Sequence, residues 1–121
     1  MPILEVELVL RPDEQLSGNL TASIANAAAE VFRSRPGRTW VKLRTLAPEA
    51  YAEDADGLPL EVYPVFVSVL KAEIPPADEL ATEIAGLTRA IAAACDRPSQ
   101  NVHIRYEPAV SGRMAFGGRL V

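Results

Sequence analysis

The chain has 121 residues, 49% of them hydrophobic, a formal net charge of −4 and one cysteine. That is one domain's worth of chain with enough apolar material for a real core, which excludes disorder. The acid excess falls wholly before residue 63, so neither half carries the basic footprint of a nucleic-acid binder, and lone Cys95 excludes an internal disulfide.

The first element begins at Met1-Pro2. Residues 3–10 alternate: Leu4, Val6, Leu8 and Leu10 share one face, with Glu5 and Glu7 on the other, which predicts a strand. Asp13 is placed as a helix N-cap with Glu14 beside the dipole, and Leu16, Leu20, Ile24, Ala27 and Val31 recur at helical spacing. This helix is expected to stop around Arg35, before Pro36-Gly37, and residues 39–45 alternate again.

An acidic connector follows at 47–59, containing the Asp54–Gly57 turn, and then the same order repeats. Residues 62–69 predict a strand. Pro75-Pro76-Ala77-Asp78 starts a helix whose stripe is Leu80, Ile84, Leu87, Ile91 and Ala94. Arg97-Pro98 ends it, and residues 101–106 form a fourth strand. The halves also match in detail: Pro36 and Pro98 lie 62 residues apart, Val41 and Val102 lie 61 apart.

We therefore expect one domain over 1–121, with a first repeat over about 1–45, a connector over about 46–61 and a second repeat over about 62–121. The class is α+β, two βαβ units forming a four-stranded sheet. Right-handed crossovers put both helices on one face. The other face then carries Glu5, Glu7, Lys42, Arg44, Ser68, His103, Arg105 and Glu107, interleaved with Ile3, Val9, Trp40 and Phe66. Parallel pairs rarely leave a face to water, so this one is expected to be buried between subunits.

Pro2, the step Leu10-Arg11-Pro12-Asp13-Glu14-Gln15 and the ending Gly112-Arg113-Met114-Ala115-Phe116-Gly117-Gly118, set on a doubled βαβ frame, resemble the tautomerase superfamily. Its short members are similar to 4-oxalocrotonate tautomerase, its longer ones to carboxymethyl-hydroxymuconate isomerase and macrophage migration inhibitory factor. The resemblance implies a homotrimer with sheets around a central barrel. It also implies that Pro2, once Met1 is removed, shuttles a proton in keto–enol tautomerisation of a small carboxylate-bearing enol or dienol. Chemically that is reasonable: an α-amino group titrates near ~8, and neighbouring cations lower it toward the neutral range where a general base works best.

The resemblance implies substrate-binding roles as well. Arg11, roughly 30 Å along the strand from Pro2, must act on a neighbouring chain's Pro2. Lys42 stands where the short tautomerases resemble an arginine and is expected near Pro2; Arg44 shares its face. Arg35-Pro36 resembles the Lys-Pro of the migration-inhibitory-factor branch, so the choice of cation stays open. Arg113 and Phe116 belong to an implied C-terminal hairpin padding a hydrophobic site. His103 is repeat-paired with Lys42 and read as structural, and Cys95 as core.

One His and one Cys make no metal cluster, and neither metal nor cofactor is expected. No apolar run reaches the ~20 residues of a spanning helix and no signal peptide is evident, so we expect a cytoplasmic protein without membrane or nucleic-acid partners. Two alternatives remain. A hydratase or dehalogenase would use a cationic Pro2, with Glu5, Glu7 or Glu107 activating water. A non-catalytic ferredoxin-like binding module would share the element order but not the strand order.

Overall fold

The computed structural model describes residues 2–54 and 62–121. The Asp54–Gly57 turn therefore lies largely outside the described residues. Strand β1 (Ile3–Val9) leads through a long turn to helix α1 (Leu20–Phe32) and strand β2 (Trp40–Leu46). Strand β3 (Val65–Leu70), helix α2 (Ala77–Cys95) and strand β4 (Val102–Tyr106) repeat that order. A two-stranded hairpin, β5 (Ala115–Phe116) and β6 (Arg119–Leu120), ends the chain.

The main sheet has the order β2-β1-β3-β4. Each βαβ unit is a parallel neighbour pair, and the two units meet along the antiparallel β1/β3 pair. Because no strand separates β1 from β2, the split βαβ of a ferredoxin-like module is excluded. The core lies under one face: Leu4, Val6 and Leu8 of β1 and Val65, Val67 and Val69 of β3 pack against Leu20, Ile24 and Ala28 of α1 and Leu87, Ile91 and Cys95 of α2. The helices approach closely where Gly86 meets Val31; an added Cβ there would stand 3.3 Å from a Val31 methyl.

Local expectations are corrected at both ends of α1 and at Val9. Asp13 does not cap a helix: it lies in the left-handed region at φ 61°, within a turn closed by the Glu14 N–H donating to the Arg11 carbonyl at 3.1 Å. The helix begins six residues later, behind Asn19, and Leu16 reaches the core from the turn rather than from a helical stripe. That helix also ends earlier than expected, with Arg33 as a left-handed C-cap. Val9, assigned to the charged face, is buried, its N–H bonded to the Pro64 carbonyl at 3.0 Å where β1 leaves the sheet.

Candidate active site

Pro2 is buried at the start of β1, and its carbonyl accepts the Trp40 N–H at 3.1 Å. Backbone groups of one strand residue point the same way, so the Pro2 nitrogen faces β2 and the turn that feeds it. In that turn the Arg38 N–H donates to the Arg35 carbonyl at 3.1 Å, and the Trp40 indole N–H donates to the Gly37 carbonyl at 3.0 Å. Gly37 sits at φ 78°, a conformation a side chain would strain. The hydroxyls of Ser34 and Thr39 pair at 2.6 Å across its base. Arg35 and Arg38 are exposed on this turn and make no ion pair with any described residue.

The C-terminal segment closes over the same end. The N–H groups of Val110 and Ser111 donate to the carbonyls of Lys71 and Ala72, just beyond β3, at 3.1 and 3.0 Å. Gly117 and Gly118, both at positive φ, make the two-residue turn that such a hairpin needs. Phe116 then packs edge-on against Trp40, with centroids 5.3 Å apart and planes at 87°. Arg113 folds back on its own turn, donating to the Ala109 carbonyl at 3.0 Å. Pro2, Trp40 and Phe116 are thus brought to one end of the sheet.

The other nominated cations lie elsewhere. Lys42 is the register partner of Glu5, three residues beyond Pro2, and its ammonium bonds the Glu5 carboxylate at 2.7 Å. That puts it roughly 10 Å along the strand from Pro2 and on the face away from the helices, correcting the expected proximity. The bond from Lys42 holds the Glu5 carboxyl below its ordinary value. Arg44 stands opposite Glu7 on the same face. This charged face forms a concavity of about 380 Å³ that also includes Phe66, Ser68 and His103. It lies mid-sheet, away from the Pro2 end, and Phe66 stacks on His103 within it at 5.5 Å. Of the carboxylates considered for water activation, Glu5 and Glu7 line this concavity, whereas Glu107 follows β4, level with Ile3, and is held by Arg105 at 3.1 Å.

Arg11 is at the far end of β1, as expected. It is engaged within its own chain, donating to the Asp96 carbonyl at 2.7 Å and lying 3.4 Å from the Glu14 carboxylate. Beside it is a group the sequence reading missed. Arg97, with its side chain 1% exposed, forks onto both oxygens of Glu14 at 2.8 and 3.1 Å. The same guanidinium donates to the carbonyls of Tyr63, Val9 and Cys95 at 2.8, 3.0 and 3.0 Å. The hydrogen bond from Arg97, above all, pulls the Glu14 carboxyl below its ordinary value.

The internal repeat relates this corner to the first. Val41 and Val102 correspond in the repeat and their strand partners Leu4 and Val65 each lie 37 residues earlier, so Leu4 corresponds to Val65 and Pro2 to Tyr63. The Arg-Pro steps at 35–36 and 97–98 also correspond. In the second half the arginine of this step is buried and holds a carboxylate beside the strand start. In the first half it is open to solvent. The paired Arg-Pro steps were the available signal for Arg97.

No family model matches the chain, and no curated protein matches it. Solved structures do. A fused 4-OT wild type symmetric trimer superposes with a TM-score of 0.73 at 14% identity, covering 98% of this chain and 94% of that one. A malonate semialdehyde decarboxylase, described for its decarboxylase and hydratase activities, gives 0.69 at 14% identity over 95% and 90% of the two chains. Macrophage migration inhibitory factor from Oncomelania hupensis gives 0.71 at 16% identity over 99% and 82%. The strand order, the helices on one face and these near full-length superpositions place the chain on the fold of the tautomerase superfamily.

Proposed function

We propose that this protein is a cofactor-free tautomerase acting on a small carboxylate-bearing enol or dienol, with Pro2 as its acid–base group. Removal of Met1 would leave Pro2 a secondary amine on the end of a rigid strand. The neutral amine takes the proton from the enol hydroxyl, and the resulting ammonium returns it to carbon. The bond order shifts from C=C to C=O with no net change in protons. Negative charge develops on the substrate during the step, so cations are needed beside the amine.

Arg35 and Arg38 supply them in this reading, in place of Lys42 and Arg44, which face the mid-sheet carboxylates. The observation that carries the assignment is Arg97: the repeat-related Arg-Pro step holds a carboxylate beside a strand start, with Glu14 in the place a substrate carboxylate would take. Trp40 and Phe116 give the site an apolar wall, and Arg113 stands in the same hairpin. Arg11 reaches a Pro2 only as part of a neighbouring copy. This is consistent with a homotrimer like that of the fused 4-OT, whose assembly would also cover the charged sheet face.

The test is ketonisation of a panel of small α-keto-acid enols, followed by ultraviolet absorbance, on protein whose mass shows Met1 absent. Pro2→Ala is expected to lower kcat/KM by roughly 10²–10⁴-fold, the usual worth of one general acid–base group. Undiminished turnover in that variant would sink the assignment. No helix of the described residues is long and apolar enough to cross a membrane.

A further inference from the structure

Beneath Pro2, on the helix side of the sheet and at the margin of the core, lies a chain of polar groups that the proposed reaction does not use. Lys71 follows directly on β3. Its ammonium bonds the Glu83 carboxylate of α2 at 3.0 Å and lies 4.9 Å from the centre of the Phe32 ring at the end of α1. The other Glu83 oxygen accepts the hydroxyl of Tyr106, at the end of β4. Lys71 and Glu83 are only 19% and 14% exposed. Burial, reinforced by the Glu83 bond, pushes the Tyr106 hydroxyl far above its ordinary pKa, so it stays a neutral donor.

The register puts the Lys71 end of this pair beside Pro2. Strands β1 and β3 pair Ile3 with Leu70 and Leu4 with Val69. The next pair outward is therefore Pro2 with Lys71. Val9 donates to Pro64, which makes the odd residues of β1 the hydrogen-bonded partners. Pro2–Lys71 is thus a non-hydrogen-bonded pair, the kind whose side chains stand closest, with Cβ atoms about 5 Å apart. Both side chains share the parity of Leu4 and Val69, which point to the helices.

We infer that Lys71 and Glu83 are a balanced pair of opposite charges beside Pro2, each member of which biases the charge state of the Pro2 amine and cancels the other. The inference rests on the proposed role of Pro2 and names its regulator. The amine is exposed to opposing influences. From the turn before β2 come Arg35 and Arg38, and from the hairpin Arg113; all favour the neutral amine. Lys71 adds to them from β3, and Glu83 from α2 offsets Lys71, while Tyr106 of β4 holds Glu83 in place without charge. Intact, the pair is close to neutral as seen from Pro2, leaving the arginines to lower the amine. Removing either member unbalances it, with opposite sign.

The experiment is a nitrogen-NMR titration of Pro2 in protein lacking Met1, comparing the parent with Lys71→Met, Lys71→Arg and Glu83→Gln. A unit charge at this range is worth about half to one pH unit. Lys71→Met is expected to raise the amine's midpoint by that amount and Glu83→Gln to lower it, while Lys71→Arg stays near the parent. A merely structural pair would lower stability in all three without splitting the midpoints. The inference is overturned if both charge-removing variants, folded by circular dichroism, titrate with the parent. If Lys71→Met does not fold, Glu83→Gln decides alone: a lowered midpoint supports the pair, an unmoved one overturns it. A Pro2 signal that is a non-titrating amide in the parent overturns the function assigned to Pro2 instead, and this inference with it.

Discussion

Arg97 is the residue whose removal should be felt most. Its guanidinium is buried and is shared among the Glu14 carboxylate and four backbone carbonyls, those of Val9, Tyr63, Cys95 and Asp96. Arg97→Ala leaves the largely desolvated Glu14 carboxylate with only the Arg11 N–H at 2.9 Å and the Arg11 guanidinium at 3.4 Å, and leaves those carbonyls to whatever water enters the gap. Breaking a buried pair from one side costs about 3–5 kcal/mol. For a chain of this length that corresponds to a fall in Tm of roughly 10–20 °C. Lysine cannot reproduce the fork, so Arg97→Lys should recover only part of the loss.

Urea unfolding at fixed protein concentration is the assay, because any assembly would make the midpoint concentration-dependent. The pH dependence gives an independent check. The folded Glu14 carboxyl lies below its ordinary 4.5. Its contribution is therefore complete above the unfolded value and lost as pH falls through the folded one. Glu14→Gln should be less stable than the parent near neutrality, and the gap should narrow below about pH 4.5. A cost under about 1 kcal/mol for Arg97→Ala, with the fold intact, would refute the reasoning.

Other consequences are more local. Trp40→Ala removes the edge-on partner of Phe116, and we expect KM for an enol substrate to rise several-fold with kcat little changed; an equal fall in both kcat and kcat/KM would instead tie the indole to the transition state. Lys42→Met breaks an exposed pair with Glu5 and should change the urea-derived stability by less than about 1 kcal/mol, a larger loss showing that the charged face is buried in an assembly. Cys95, buried and with its thiol pushed up to about 11 mainly by desolvation, should resist a thiol reagent in native protein and react at once in denaturant.

The features legible in the sequence are those written as periodicity. Alternation in β1, β2 and β4, the stripe of α2 from Leu80 to Ala94, whose Leu87 and Ile91 are buried, and the repeated order fixed both the α+β class and the charged second face of the sheet. The errors occur where a distant partner overrides a local preference. Asp13 followed by an acid and an apolar stripe is a good helix start on propensity alone. Glu14 is instead taken by Arg97, 83 residues away, and the turn that delivers it pushes the helix start on to Leu20. A parallel strand starting beside β1 would place Lys42 close to Pro2. The register shows that β2 starts level with Ile3, and a lysine three residues in meets Glu5 instead. Lys71 and Glu83 carry no pattern of their own; the pairing of β1 with β3 sets Lys71 opposite Pro2, and Glu83 joins it only through their ion pair.

The central claim is that Pro2 works as a free amine held near neutrality, and a nitrogen-NMR titration of the parent protein, made without an N-terminal tag, tests it most directly. The account predicts a secondary amine titrating clearly below ~8, the ordinary α-amino value. An amine titrating above that value would contradict it and favour a cationic proline. A residue-2 nitrogen that behaves as a non-titrating amide would contradict it outright, since no base would then exist at the end of β1.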